Sequence, residues 1–119
     1  EADASLPARI GRLVSFFKDA KPGMREIATA HCEVAEMLAR QLGLPENIQE
    51  TLRYSLEQWD GKGKAYGLKS EDVPIASRIL HIAQVLGVAH SFGGVSAAVA
   101  IAGERRGTDF DPELVDQFR

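Results

Sequence analysis

The stretch Leu56–Leu68, LEQWDGKGKAYGL, gathers the side chains best suited to chemistry in this chain. Glu57 and Trp59 stand at the end of a helical run, a sharp turn follows at Asp60-Gly61, and a glycine-rich loop then carries Lys62 and Lys64. With Lys69 and Arg78 further on, these cations supply local positive charge of the kind that meets a phosphate. An exposed lysine-rich loop serves solubility just as readily. Glu57, Trp59, Asp60, Gly61 and Gly63 read as architecture. Asp60 is placed to accept from turn amides, the glycines to take conformations other residues resist, and Trp59 to fill the space beneath the loop. Arg78 is expected to pair with Asp60 or Glu57.

Three histidines and one cysteine are the other candidates. His31 falls on an apolar stripe with Ile27, Val34 and Leu38, which predicts a buried, hydrogen-bonded imidazole. Cys32 lies about 100° further round the same helix, so the two are poorly placed to share one ion, and Cys32 reads as a buried structural thiol. His81 and Gln84 share a helix face with Ser77, and a hydrogen-bonded or solvated patch explains them better than a metal site. His90, near a helix end, suits interaction with terminal carbonyls.

The elements that must hold these residues are all helical. Ile10, Leu13, Val14 and Phe17 line one face of a leading helix, which Lys21-Pro22-Gly23 breaks. A second helix is predicted from Met24 to Leu42, with Ile27, His31, Val34, Ala35, Leu38 and Leu42 on its stripe and Gly43 as its left-handed stop. A third runs from Pro45 to Gln58 and turns Ile48, Leu52 and Leu56 inward. After the loop, Pro74 to His90 is apolar over a wide face (Ile75, Ile79, Leu80, Ile82, Ala83, Leu86), which predicts burial on more than one side. Gly93-Gly94 separates it from an alanine-rich helix, Val95–Arg105. Asp111-Pro112 then starts a final helix with Leu114, Val115 and Phe118 inward. The expected class is an all-α bundle of about five to six helices in one domain, residues 1–119, with residues 1–22 as its leading helix.

A formal charge of −3 argues against a nucleic-acid or anionic-membrane surface on this segment. No unbroken apolar run approaches the roughly 18 residues that span a bilayer, and the lone Cys32 fits a reducing cytoplasm. The opening Glu1-Ala2-Asp3 is read as a sign that the chain is a piece of something longer.

Four pieces in order, REIATAHCEVAEML, LGLPENIQETLRYSLEQWDGKG, GLKSEDVPIASRILHIAQV and GTDFDPELVDQF, resemble the C-terminal half of an HD-GYP domain, a branch of the HD phosphohydrolase superfamily. The resemblance runs from Arg25 to Phe118. It implies hydrolysis of phosphodiesters such as cyclic di-GMP with iron or manganese, which make hydroxide from water and neutralise phosphate charge. Residue by residue, His31 matches a metal-binding histidine. The family's adjacent ligand histidines correspond to Ser55 and Leu56, its next aspartate ligand to Gln84, and its Gly-Tyr-Pro signature to Gly63-Lys64-Ala65. The His-Asp doublet that names the superfamily is not in this sequence. One imidazole cannot hold a polynuclear centre, since even one ion normally takes three or four protein ligands.

The pattern as a whole resembles proteins that fuse a degenerate HD-GYP-like domain to a LuxR-type helix-turn-helix segment. The expectation is therefore a catalytically impaired domain acting as a sensory or protein-interaction module of a bacterial regulator in the cytoplasm, without a cofactor of its own. Self-association or other protein domains are its expected partners, not membrane or nucleic acid. Two alternatives stand beside it: a metal-dependent phosphodiesterase of the cyclic di-GMP class completed by a missing N-terminal half, and a non-hydrolytic nucleotide-binding module using Lys62, Lys64 and Arg78.

Overall fold

The computed structural model describes residues 23–118 apart from Lys64. The predicted leading helix lies outside the described residues. Helix α1 spans Gly23–Gln41 and α2 Glu46–Arg53. A single 3-10 turn covers Ser70–Asp72, α3 runs Ile75–Arg105, and α4 is Pro112–Phe118. Four α-helices and no strand among the described residues make the class all-α, with a helix count just under that expected.

Local chemistry explains most of the boundaries. Helix α1 has Glu26 in its first turn and Arg40 in its last, each favourable to the helix dipole. Gly43 (φ 77°) terminates it. The Gly43 amide donates to the Arg40 carbonyl and the Leu44 amide to that of Ala39, both at 3.0 Å, the paired bonds of a Schellman stop. Pro45 and Pro74 are the N-cap residues of α2 and α3, one position earlier than a first-turn proline.

Helix α2 ends at Arg53 rather than reaching Gln58. The Ser55 amide bonds to the Leu52 carbonyl and the Glu57 amide to that of Tyr54, so the chain closes into tight turns where the periodicity predicts more helix. Of its predicted inward residues, Leu52 and Leu56 are half-buried and Ile48 is exposed.

Helix α3 carries the core. Gly94 inside it has φ 72° and ψ −161°, a conformation open in practice to glycine alone, and so breaks the helix where the sequence places Gly93-Gly94. Residues on both sides of the break enter one cluster: Ile82, Leu86 and Ala89 before it, and Ala97, Ala98, Ile101 and Ala102 after it, closed by Phe110 and Val115. The alanines let these helical segments approach closely. Val85 and Leu114 flank the cluster.

Several predicted faces are corrected. Ile75, Ile79 and Ala83 of the wide face are exposed, as is Phe118. The stripe of α1 is also exposed at Ile27, His31, Val34 and Leu38, as is Leu42 just past its end; Cys32 and Ala39, off that stripe, are buried. A hydropathy count along unbroken runs also understates α3, which is long and apolar enough to cross a membrane by length and composition alone. It is also the helix that supplies most of the core cluster.

Candidate functional site

Glu57 is buried at 2% exposure, and its carboxylate is the centre of the loop. It accepts from the amides of Tyr66 (2.7 Å), Gly67 (2.9 Å) and Leu68 (3.0 Å). Three successive N–H groups converge because Gly67 takes φ 81°, turning the backbone into a concave donor surface of the kind that binds anions. Here the anion is the protein's own side chain. A buried carboxylate needs such compensation, so Glu57 and the 66–68 backbone stabilise each other.

The rest of the motif is also structural. Asp60 accepts from the Lys62 amide at 3.0 Å, as expected for a turn aspartate. Gly61 has φ 80°, and a Cβ there would lie 3.1 Å from that of Lys69. Gly63 is needed for a different reason: a Cβ would sit 2.9 Å from the Gln58 nitrogen and 3.0 Å from the Leu56 carbonyl oxygen. Two backbone bonds then dock the loop, Trp59 amide to Asp109 carbonyl (3.0 Å) and Asp60 amide to Thr108 carbonyl (2.9 Å).

Arg78 does not pair with Asp60 or Glu57. Its Nη1 donates to Asp111 Oδ2 at 2.6 Å and its Nε to the Val73 carbonyl at 2.9 Å. The guanidinium also lies 5.7 Å from the centre of the Trp59 ring, within cation–π range. Asp111 meanwhile accepts from the Glu113 amide at 2.9 Å, capping α4 as its Asp-Pro sequence predicts. One arginine therefore ties together the loop, the 3-10 turn and α4, across 33 positions in the chain. Nothing in the sequence signals that pairing. The guanidinium is committed to these partners, while Lys62 and Lys69 are exposed and Lys64 lies outside the described residues.

His81 packs edge-on against Phe110, with ring centres 5.7 Å apart. Its Nε2 is sealed from solvent without a hydrogen-bond partner. Burial pushes its pKa down to about 4, opposed by the charge of Asp60, so the imidazole is neutral near pH 7. Ser77 is buried and its hydroxyl donates to the Thr51 carbonyl at 2.9 Å, whereas Gln84 and His90 are exposed. The expected patch of Ser77, His81 and Gln84 is thus divided: Ser77 bonds across to α2, His81 packs against Phe110 and Gln84 faces water.

The described residues at the positions where the resemblance puts ligands do not gather into a donor cluster. Ser55 is 2% exposed; its hydroxyl donates to the Leu52 carbonyl at 3.0 Å and stands 3.9 Å from Cys32 Sγ. Cys32 is fully buried, and burial raises its thiol pKa, which keeps it protonated and a poor ligand. Leu56 offers no donor atom. His31, expected inside, is exposed. Among the described residues no group of three or more His, Cys, Asp or Glu side chains could hold a metal ion. Iron or manganese does not fit the described residues.

A helical scaffold organised around a Glu-x-Trp-Asp-Gly turn defines the class. The HD domain family model matches residues 2–114, and the chain belongs to that family. Two of the proteins it is similar to carry cyclic-dinucleotide phosphodiesterase names. It is 28% identical, over 97% of its length, to 3'3'-cGAMP-specific phosphodiesterase 3 of Vibrio cholerae, of which it spans 25%. It is 35% identical over 68 residues to a probable cyclic di-GMP phosphodiesterase of the same organism, covering 52% of this chain and 15% of that one. The crystal structure of a cyclic GMP-AMP specific phosphodiesterase from V. cholerae has the same fold, with a TM-score of 0.78 at 24% identity over 97% of this chain and 32% of that one.

Proposed function

We propose that this chain is the framework segment of an HD-domain protein that hydrolyses a cyclic dinucleotide in a metal-dependent reaction, with the ions held by parts of the longer protein outside these 119 residues. The observation that carries this is the similarity to 3'3'-cGAMP-specific phosphodiesterase 3, which extends through 97% of the chain while taking up 25% of the relative. This segment then supplies the rigid loop of Glu57 to Leu68 with its exposed Lys62, and the missing ligands come from elsewhere. A reduced Cys32 suits a cytoplasmic protein handling such a nucleotide.

A second reading is favoured by one specific observation: Ser55, Leu56 and Gln84 present no imidazole or carboxylate where the resemblance puts ligands. In that reading the domain senses the nucleotide or a protein partner without hydrolysis, as part of a regulator that also carries a helix-turn-helix segment. Full-length protein loaded with manganese or iron, incubated with 3'3'-cGAMP and cyclic di-GMP and followed by chromatography of the linear products, separates the two. Metal-dependent turnover supports the first reading and removes the second. Calorimetric binding without turnover does the reverse, and neither binding nor turnover removes cyclic dinucleotides from both.

A further inference from the structure

Tyr66 is a large ring left 40% exposed in a loop that is otherwise held tightly. Its amide donates to Glu57 Oε2 at 2.7 Å and the next two amides to Oε1, so the backbone beneath the ring is fixed. The ring is braced as well. Tyr54 meets it in a T-shaped contact, with centres 5.6 Å apart and planes at 78°, and the Arg53 guanidinium stands 5.5 Å from the centre of the Tyr54 ring. Arg53 is in turn bound to Glu36. A T-shaped contact occupies at most one face of a ring, and its exposure leaves Tyr66 open to stacking by a second planar group. Burial and the charge of Glu33 push its phenol pKa up, so the ring is neutral near pH 7.

Two lysines share this end of the loop. A Cβ on Gly67 would lie 3.9 Å from the Gly61 carbonyl oxygen, and one on Gly61 would lie 3.1 Å from the Lys69 Cβ. This places Lys62, Tyr66 and Lys69 around one pair of glycines. Both lysines are exposed, and neither joins an ion pair among the described residues. Ser70, directly after Lys69, holds φ 52°, a left-handed conformation uncommon outside glycine, and its amide donates to the Trp59 carbonyl at 2.8 Å. Backbone held in so sparsely populated a region is a cost that clusters at ligand sites. The amides of Tyr66, Gly67 and Leu68 are already taken by Glu57, so a phosphate at this end meets lysine rather than backbone.

We propose that Tyr66 is a stacking platform for a purine base of a cyclic dinucleotide whose phosphodiester lies at Lys62 and Lys69. The loop then recognises the nucleotide through its base as well as its charge. The inference rests on the reading above that a cyclic dinucleotide is the ligand, and needs no metal or hydrolysis at the loop itself. A flat ring accepts guanine and adenine alike, while an aliphatic side chain of similar bulk gives up the π contact.

The test is calorimetric titration of full-length protein, metal-free and manganese-loaded, with cyclic di-GMP and 3'3'-cGAMP. Tyr66→Ala and Tyr66→Leu are expected to raise Kd by about 10-fold or more, whereas Tyr66→Phe, which keeps the ring, stays within about 2-fold of the unaltered protein. A Tyr66→Leu protein that binds as the unaltered one does, or a Tyr66→Phe protein that loses as much as Tyr66→Ala, overturns the stacking role and leaves the function above standing. Unaltered protein that binds neither nucleotide in either form overturns both. If Tyr66→Ala and Tyr66→Leu fail to fold, NMR of the unaltered protein with isotope-labelled tyrosine decides, the Tyr66 ring resonances being assigned with Tyr66→Phe. Their upfield shift on adding nucleotide supports the proposal, and unmoved resonances overturn it.

Discussion

Two regions of this molecule solve the problem of holding helices together in different ways. The loop from Glu57 to Val73 is closed on itself by the buried Glu57 carboxylate on three of its own amides, and is tied to its neighbours by Arg78 on Val73 and Asp111 and by two backbone bonds from Trp59 and Asp60 to Asp109 and Thr108. The α1–α2 pair is joined at the rim instead. Arg53 Nε donates to Glu36 Oε2 at 2.9 Å, Arg40 reaches the same oxygen at 3.2 Å, and α1 presents an open apolar stripe. Buried polar groups are costly when one partner is removed, whereas partly exposed ion pairs contribute little. The loop region therefore behaves as a fixed frame, and α1 as a surface.

The largest effect is expected from Glu57→Ala. It leaves three inward amides without an acceptor, so a loss of about 3 kcal/mol or more is expected in a chemical denaturation midpoint. Asp111→Ala removes both the Arg78 partner and the α4 cap, and a loss of about 3 kcal/mol is expected by the same measurement. A loss below about 0.5 kcal/mol for either would contradict a frame built on buried charge.

Next in size is the pH response of His81. Its folded pKa of about 4 lies below the ordinary value of 6.5, so the unfolded chain binds more protons between those values. Stability is therefore full above about pH 6.5 and falls as pH drops toward 4, by up to about 3 kcal/mol from this group. His81→Phe, which keeps the contact with Phe110, should flatten that part of the profile in thermal melts at stepped pH. Gly94→Ala forces a side chain onto a backbone conformation suited to glycine; about 1–3 kcal/mol of strain is expected, although no atom stands within 4 Å of the added Cβ.

The smallest effect belongs to α1–α2. Arg53→Ala should cost about 1 kcal/mol or less, since the pair is partly solvated. The hydrogen bond from Arg53 holds the Glu36 carboxyl below the usual carboxylate range. Its contribution is present above the unfolded carboxylate pKa and is lost as pH falls through the lowered folded value. A loss in Arg53→Ala as large as that in Glu57→Ala would erase the distinction between the two regions.

Much of the loop was legible before the fold. Asp60, Gly61 and Gly43 act as their residue types and positions suggest, because turn chemistry depends on immediate neighbours. Asp111-Pro112 marks a helix start for the same reason. Periodicity also found the helices, but not which side of each is covered. Ile27, Leu38, Ile75 and Ile79 are apolar and exposed, since a stripe shows that a face is apolar without naming its partner.

The sequence by itself determined the helical class, the break at Gly94, the Glu-x-Trp-Asp-Gly turn and the absence of donor atoms at Leu56. These follow from short-range rules: side-chain period, backbone freedom and the chemistry of single residues. Only the tertiary structure decided that Glu57 spends its charge on the loop's own amides, that Arg78 reaches Asp111 rather than Asp60, and that His31 is outside while Ser55 is inside. Those outcomes depend on which distant segments share a space, and a buried charge goes to whichever partner the packing brings within hydrogen-bond distance.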